Sequence, residues 1–394
     1  MAAFDYEGKR TGQISFPLGG IGTGCVGLAG NGRLVDWEIF GRPNKGGLNG
    51  FSHFAVKAER KGRLLDARVL HGDLEPPFTG EFSGSDAPYR GFGFGPHREN
   101  MAGAPHFEQV KFRGQFPFAE LRFRDASFPG RVSLTAFNPF IPLNETDSGI
   151  PAAFFEISLE NPTKKAIDYT VVCALGNPLP ANNRHSLRRS RGVHLLHLSS
   201  DAGAGANAPG GALKIGPGDL AAATDAAETS GQQFWFRGAW FDNLEVYWRD
   251  LIAPGKFPSR RYPPDKAGRD NTGMLAAHLR VAPGKTGRAR FVISWRFPTL
   301  EKYWDDPKQL AALAQEKGLS PSQRHHYATI WQDAPAAARY ALRHWDRLYA
   351  ETRLFQKTLF ASSLPRPALE AVSANLAVLK TPTVLRLEDG AFYG

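Results

Sequence analysis

From the N-terminus to about residue 297, apolar and polar side chains alternate with a period of two, which excludes most folds at the outset. Successive side chains on an extended backbone point to opposite sides, so a period of two marks strands with one face against a core. Ala119, Leu121 and Phe123 alternate with Glu120, Arg122 and Arg124, and Val132, Leu134 and Ala136 with Arg131, Ser133 and Thr135. Phe155, Ile157 and Leu159 oppose Glu156, Ser158 and Glu160 until Asn161-Pro162, where proline cannot continue a central ladder. The next run, Ile167 to Leu175, is expected to pair antiparallel with it. A late strand places Ala289, Phe291, Ile293 and Trp295 inward and Arg288, Arg290, Ser294 and Arg296 outward. With no helical period between these runs, the chain is expected to be mainly β, a large two-sheet antiparallel β-sandwich over residues 1–297.

Residues 199–230 are so rich in Gly and Ala that they are expected to form a mobile surface loop within the sandwich. Beyond Pro298 the period becomes helical, and residues 298–363 read as a helical linker. Leu342, Trp345, Leu348, Tyr349, Thr352, Phe355 and Leu359 share one face of a helix from about Pro335 to Ser362. At about 1.5 Å per residue it would span roughly 40 Å, a length suited to a strut between domains. After Pro365-Arg366-Pro367, Leu369, Val372, Leu376 and Leu379 share the face of a second helix, which Pro382 ends.

A chain of 394 residues, 42% hydrophobic and 22% charged, is long enough for two domains and has an ordinary globular composition. No run reaches the roughly 18 apolar residues of a membrane helix, and Met-Ala-Ala-Phe-Asp-Tyr-Glu lacks a basic-then-apolar leader, so a cytoplasmic location is expected. Cys25 and Cys173 stand alone, as buried free thiols would. The net charge of +10 is spread along the chain. Its one cluster, Arg184, Arg188, Arg189 and Arg191, has no interleaved aromatic residues and reads as a solvated loop rather than a nucleic-acid contact.

Gly22-Thr-Gly-Cys-Val-Gly27 satisfies the string of a dinucleotide-binding turn, but that site needs a helix after it, where Gly30 and Gly32 stand. Asn31-Gly32 between two apolar runs predicts instead a two-residue type I′ hairpin. Asp36 and Glu38 lie on one side of its second strand. Glycosidases use paired carboxylates, but from opposite sides of the scissile bond, whereas these two would approach together; ion pairs with Arg33, Arg42 or a neighbouring domain are the expected role. His194 and His197 point to opposite faces of a strand, and His325 and His326 diverge, so neither pair reads as metal ligands. Phe234, Trp235, Phe236, Trp240, Tyr247 and Trp248 are expected mainly in the core, with sugar stacking as the alternative. These residues offer no self-sufficient catalytic constellation and no site for a cofactor or metal.

Several long stretches nevertheless resemble glycoside hydrolase family 116, which includes non-lysosomal glucosylceramidases and β-glucosidases. They are Phe16-Pro-Leu-Gly-Gly-Ile-Gly-Thr-Gly24, Arg33-Leu-Val-Asp-Trp-Glu-Ile-Phe-Gly-Arg-Pro-Asn-Lys-Gly46, Ala136-Phe-Asn-Pro-Phe-Ile-Pro-Leu-Asn144, Ser148-Gly-Ile-Pro-Ala-Ala153, Val372-Ser-Ala-Asn-Leu376 and Glu388-Asp-Gly-Ala-Phe-Tyr-Gly394. The resemblance implies an N-terminal β-sandwich, a helical linker and an (α/α)6 barrel, of which residues 364–394 would be the start. It implies retaining cleavage of β-glucosides, glucosylceramide-type substrates among them, by a glutamate nucleophile and an aspartate acid/base downstream of Gly394. None of this chain's residues would then be catalytic, and the chain alone would be an inactive fragment. Asp36, Trp37, Glu38 and Arg42 would contact the barrel or support an active-site loop. A stand-alone carbohydrate-binding module is the alternative.

Overall fold

A computed structural model describes residues 4–74, 97–179, 183–201, 216–238, 243–260, 262, 271–301, 306–317 and 322–394. The first strands are β1 (Asp5–Glu7), β2 (Ser15–Leu18), β3 (Cys25–Ala29), β4 (Leu34–Glu38), β5 (His53–Arg60) and β6 (Arg63–Val69). They are followed by β7 (Gln109–Gln115), β8 (Phe118–Arg124), β9 (Arg131–Phe137), β10 (Ala152–Glu160), β11 (Ile167–Gly176) and β12 (Asn183–Ser190). Then come β13 (Val193–Ser200), β14 (Asp219–Thr224), β15 (Glu228–Gln232), β16 (Thr272–Val281) and β17 (Thr286–Arg296). Two short pairs join β18 (Thr299–Glu301) to β19 (Ser322–Arg324) and β20 (Leu385–Arg386) to β21 (Phe392–Tyr393). The helices are α1 (Glu145–Ser148), α2 (Asn243–Ile252), α3 (Pro307–Lys317), α4 (Tyr327–Ile330), α5 (Ala334–Arg343), α6 (Trp345–Phe360) and α7 (Arg366–Ala377).

The nine-stranded sheet runs β1-β7-β8-β9-β10-β17-β14-β13-β12 and faces a five-stranded sheet, β15-β16-β11-β5-β6. The alternating residues meet between them: Leu121, Leu134, Phe155, Ile157, Phe291, Ile293 and Trp295 from one sheet, Phe54, Val56, Tyr169, Val171 and Cys173 from the other. Both outer faces are also partly covered. Helix α2 brings Tyr247 and Leu251 onto Ala55, Val172 and Met274 of the smaller sheet. Helices α5 and α6 bring Ala337, Ala341, Trp345 and Leu348 onto Phe137, Phe154, Ala221 and Val292 of the larger one.

Four expectations are corrected. Strands β10 and β11 do not pair, because β9 and β17 occupy both edges of β10 while β11 lies between β5 and β16. The link between them passes from one sheet to the other at the edge of the sandwich, held by Asn161, whose Nδ2 donates to the Lys165 and Val281 carbonyls at 2.9 Å each. Alternation alone does not separate an in-sheet neighbour from a face-to-face one. Residues 199–230 are not simply a loop: Asp219–Thr224 is the buried strand β14 and Glu228–Gln232 is β15, while residues 202–215 lie outside the described residues. Alanine is what close helix–sheet contact requires, and Ala221 and Ala223 lie beneath Ala334, Ala337 and Ala338 of α5.

The helix over 335–362 is two helices joined at His344, and both lie along the sheet. Asp333 caps α5, its Oδ1 accepting from Ala336 N at 2.7 Å, and Ser294 Oγ donates to the Ala334 carbonyl at 2.8 Å. Finally, the hairpin around Asn31-Gly32 forms, but as a three-residue loop. Gly32 N donates to the Ala29 carbonyl at 2.9 Å and Ala29 N to the Arg33 carbonyl at 2.8 Å, so only Gly32, with φ +98°, needs the left-handed region. Among the described residues no helix is long and apolar enough to cross a membrane.

Candidate functional site

Most of the stretches that carry the family resemblance meet at one end of the sandwich. The turn Gly19–Gly24 leads from β2 directly into strand β3, not into a helix, which removes the dinucleotide reading. Its glycines lie where main chains touch. A Cβ on Gly20 would stand 2.6 Å from the Gly149 carbonyl carbon, and one on Gly24, whose φ is +77°, 2.2 Å from the Glu38 oxygen. A Cβ on Gly22 would meet Arg386 Cβ at 2.7 Å, so the C-terminal segment lies on this turn. Ile21 N donates to the Ser148 carbonyl at 2.8 Å, and Trp295 Nε1 donates to the Thr23 carbonyl at 2.8 Å.

The C-terminal segment is fastened here residue by residue. Arg386 pairs with Glu145 at 2.8 Å, and its carbonyl accepts from His326 N at 2.9 Å. Phe116 N donates to Ser373 Oγ at 3.0 Å. The buried stripe of α7 is therefore Leu369 and Ser373; Leu376 is half-buried and Val372 exposed. Lys380, 1% exposed, donates from Nζ to Asn138 Oδ1 at 2.7 Å, the Pro139 carbonyl at 2.8 Å and the Ser148 carbonyl at 3.1 Å. Burial pushes its pKa well below the ordinary lysine value.

Asp36, Trp37, Glu38 and Arg42 lie on and just after β4. Asp36 sits at φ +48° beside a break in the β3–β4 register, so both acids turn toward the loop at 41–47. Their cation is Lys45, at 3.5 Å from Asp36 and 3.0 Å from Glu38, rather than Arg33 or Arg42. Gly46 N donates to Asp36 Oδ1 at 2.6 Å and Asn44 N to Glu38 Oε1 at 3.1 Å. Trp37 is buried in the intersheet core and Arg42 is half-buried. Burial, then the Glu38 carboxylate, push the Cys25 thiol well above its ordinary value, so it is an unreactive buried group.

The other candidates resolve structurally. His194 and His197 bind Thr229 and Asp219 separately, at 2.9 and 2.8 Å, and among the described residues no three metal-binding side chains gather. Trp235 stacks on Tyr247 with ring centroids 3.8 Å apart inside the core, Phe234 is buried, and Trp240 lies outside the described residues. The arginine cluster lies on and beside edge strand β12 and not in a loop; Arg188 and Arg189 project from an open sheet edge, where charge discourages pairing with other chains. A groove of about 770 Å³ on the outer face of β8–β10 is lined by Glu108, Asp125 and Glu160, of which Glu160 pairs with Arg131 at 2.7 Å and Asp125 with Arg68 at 2.8 Å. The arrangement at the glycine-rich end is one of fastening: Asp36, Glu38, Glu145 and Asp147 are each committed to a cation.

No curated protein matches the sequence. Among solved structures, an α-mannosidase of family GH92 from Bacteroides thetaiotaomicron is similar at 10% identity and a TM-score of 0.32, covering 96% of this chain and 41% of its own. A provisionally assigned kojibiose phosphorylase from human microbiome is similar at 9% identity and a TM-score of 0.35, covering 91% and 38%. The chain thus spans about two fifths of either protein. Residues 15–348 match the profile described as "beta-glucosidase 2, glycosyl-hydrolase family 116 N-term", and the chain belongs to that family as its N-terminal domain.

Proposed function

We propose that this domain supports a retaining β-glycosidase acting on β-glucosides, glucosylceramide-type lipids among them, and that the cleaving carboxylates come from a helical barrel outside these residues. The observation that carries the reading is the family match over residues 15–348. The commitment of Asp36 and Glu38 to Lys45 and to backbone amides supports it, because a retaining pair needs two carboxyl groups about 5 to 5.5 Å apart across the sugar, one of them ready to give a proton. Burial of Phe234, Trp235 and Tyr247 takes these three rings out of any sugar-stacking platform, which speaks against a stand-alone sugar-binding module. The purified chain is expected to leave an aryl β-glucoside unhydrolysed above the buffer rate. Turnover by these 394 residues would show that the chemistry lies within them.

Within that reading, Asp36 and Glu38 hold the 41–47 loop in a fixed shape, so that Arg42 and Lys45 meet the rest of the enzyme from a rigid support. Asp36→Ala is expected to speed amide exchange at Gly46 about tenfold, the scale of losing one hydrogen bond to a charged acceptor. Unchanged exchange there would remove the holding role.

A further inference from the structure

We propose that Asn138, Pro139 and Ser148 form a cation-binding cage, and that the Lys380 ammonium is a tethered cation whose charge, not its hydrocarbon stem, fastens the C-terminal segment to the sandwich. The inference stands whether or not the domain belongs to a β-glucosidase.

Three oxygens, Asn138 Oδ1 and the carbonyls of Pro139 and Ser148, surround Nζ at 2.7, 2.8 and 3.1 Å. Three acceptors match the three hydrogens of an ammonium, whereas a neutral amine would turn its lone pair toward one of them, so the oxygens hold the proton against the burial that draws the pKa down. The amide orientation is fixed independently: Asn138 Nδ2 donates to the Ile150 and Ala152 carbonyls at 3.2 and 2.7 Å, which leaves Oδ1 facing the lysine. The Phe140 ring centroid lies 5.4 Å from Nζ and adds a π face to the enclosure. Among the described residues no carboxylate pairs with Lys380, so there the charge is balanced by dipoles, as in sites where carbonyl oxygens replace an ion's hydration shell.

The cage is also a junction. The Ser148 carbonyl accepts from Ile21 N as well as from Lys380, so one oxygen ties the glycine-rich turn, α1 and the C-terminal segment together. Lys380 ends the short 3-10 turn after α7, with Ser373 bonded to Phe116 before it and Arg386 paired with Glu145 of α1 after it, so the segment's other anchors lie on either side of the caged charge.

The test uses the 394-residue chain and amide exchange across residues 366–394. Lys380→Ala is expected to lower protection there by about 100-fold, on the scale of one or two hydrogen bonds from a charged donor. Propylammonium, which replaces the missing carbons and nitrogen, is expected to restore most of it; 1-propanol, equal in length but uncharged, is expected to restore none. Lys380→Met keeps the stem and should remain as unprotected as the alanine variant. Should Lys380→Ala fail to fold, refolding with propylammonium but not with 1-propanol gives the same support. Wild-type protection in Lys380→Met, equal rescue by the alcohol, or no rescue by propylammonium would overturn the proposal.

Discussion

Acidification from about pH 7 to about pH 5 is expected to unfold this chain, well before its carboxylates are protonated. His53, His185 and His325 are buried, and burial holds their pKa values down at about 4, about 3 and about 4. His53 shows how the neutral form is locked: Nδ1 lies 2.7 Å from the Phe51 carbonyl, to which it donates, leaving Nε2 to accept from the Tyr247 hydroxyl at 2.9 Å. Below the unfolded histidine value of 6.5 the unfolded chain takes up protons that the folded chain refuses, so stability is complete above that pH and falls as pH drops toward 4.

Each such group contributes a slope of about 1.4 kcal/mol per pH unit, so the three together give about 4, against a total stability of order 5 to 15 kcal/mol. His71, lowered by burial and by Arg33 nearby, adds in the same direction. Tryptophan fluorescence against pH is expected to show a steep transition near pH 5, and unfolding there is expected to take up at least four protons, one each at His53, His185, His325 and His71. His53→Gln should reduce that uptake by one. A flat signal down to about pH 4 would refute the account.

Lys57→Met is expected to cost about 3–5 kcal/mol, the scale of breaking a buried ion pair by removing one partner. Lys57 on β5 has no exposed side-chain surface and lies 3.0 Å from Glu59, which is itself buried. Its Nζ also donates to the Ala253 and Gly255 carbonyls at 2.7 Å each, and Glu59 accepts from Gly255 N at 2.8 Å. The pair therefore satisfies the backbone just beyond the C-terminus of α2, where helix carbonyls have no partners of their own. Substitution by methionine leaves the buried Glu59 charge without its cation and removes the donor to both carbonyls. Urea unfolding checks the size. Adding Glu59→Gln should recover part of the loss, since the uncompensated charge is then gone. A change under about 1 kcal/mol would show that the pair is solvated.

The sandwich was legible because one buried face per strand writes a period of two, and the inward residues named from Ala119 to Trp295 do line the intersheet core. Alternation is silent about which strands share a sheet, which is why β11 was misplaced beside β10. It is equally silent where both faces are covered, as at β14, whose Leu-Ala-Ala-Ala looks too small to be a core strand until α5 lies on it. At the glycine-rich end the motifs were visible but their bonds were not. Lys45 stands farther along the chain from the acids it joins than Arg33 or Arg42 does, and only the path of the 41–47 loop brings it back onto them. Lys380 carries no mark in the sequence, because nothing local points to a cation whose oxygens come from residues 138–148.

The turn from Gly19 to Gly24 touches Gly149, Glu38 and Arg386 through backbone atoms and one Cβ. Contacts of that kind leave no room for side chains and so write themselves into the sequence as a bare spacing of glycines. The same spacing is what a bound nucleotide would impose, and only the element that follows, strand or helix, tells a seam between segments of one chain from a cradle for something foreign.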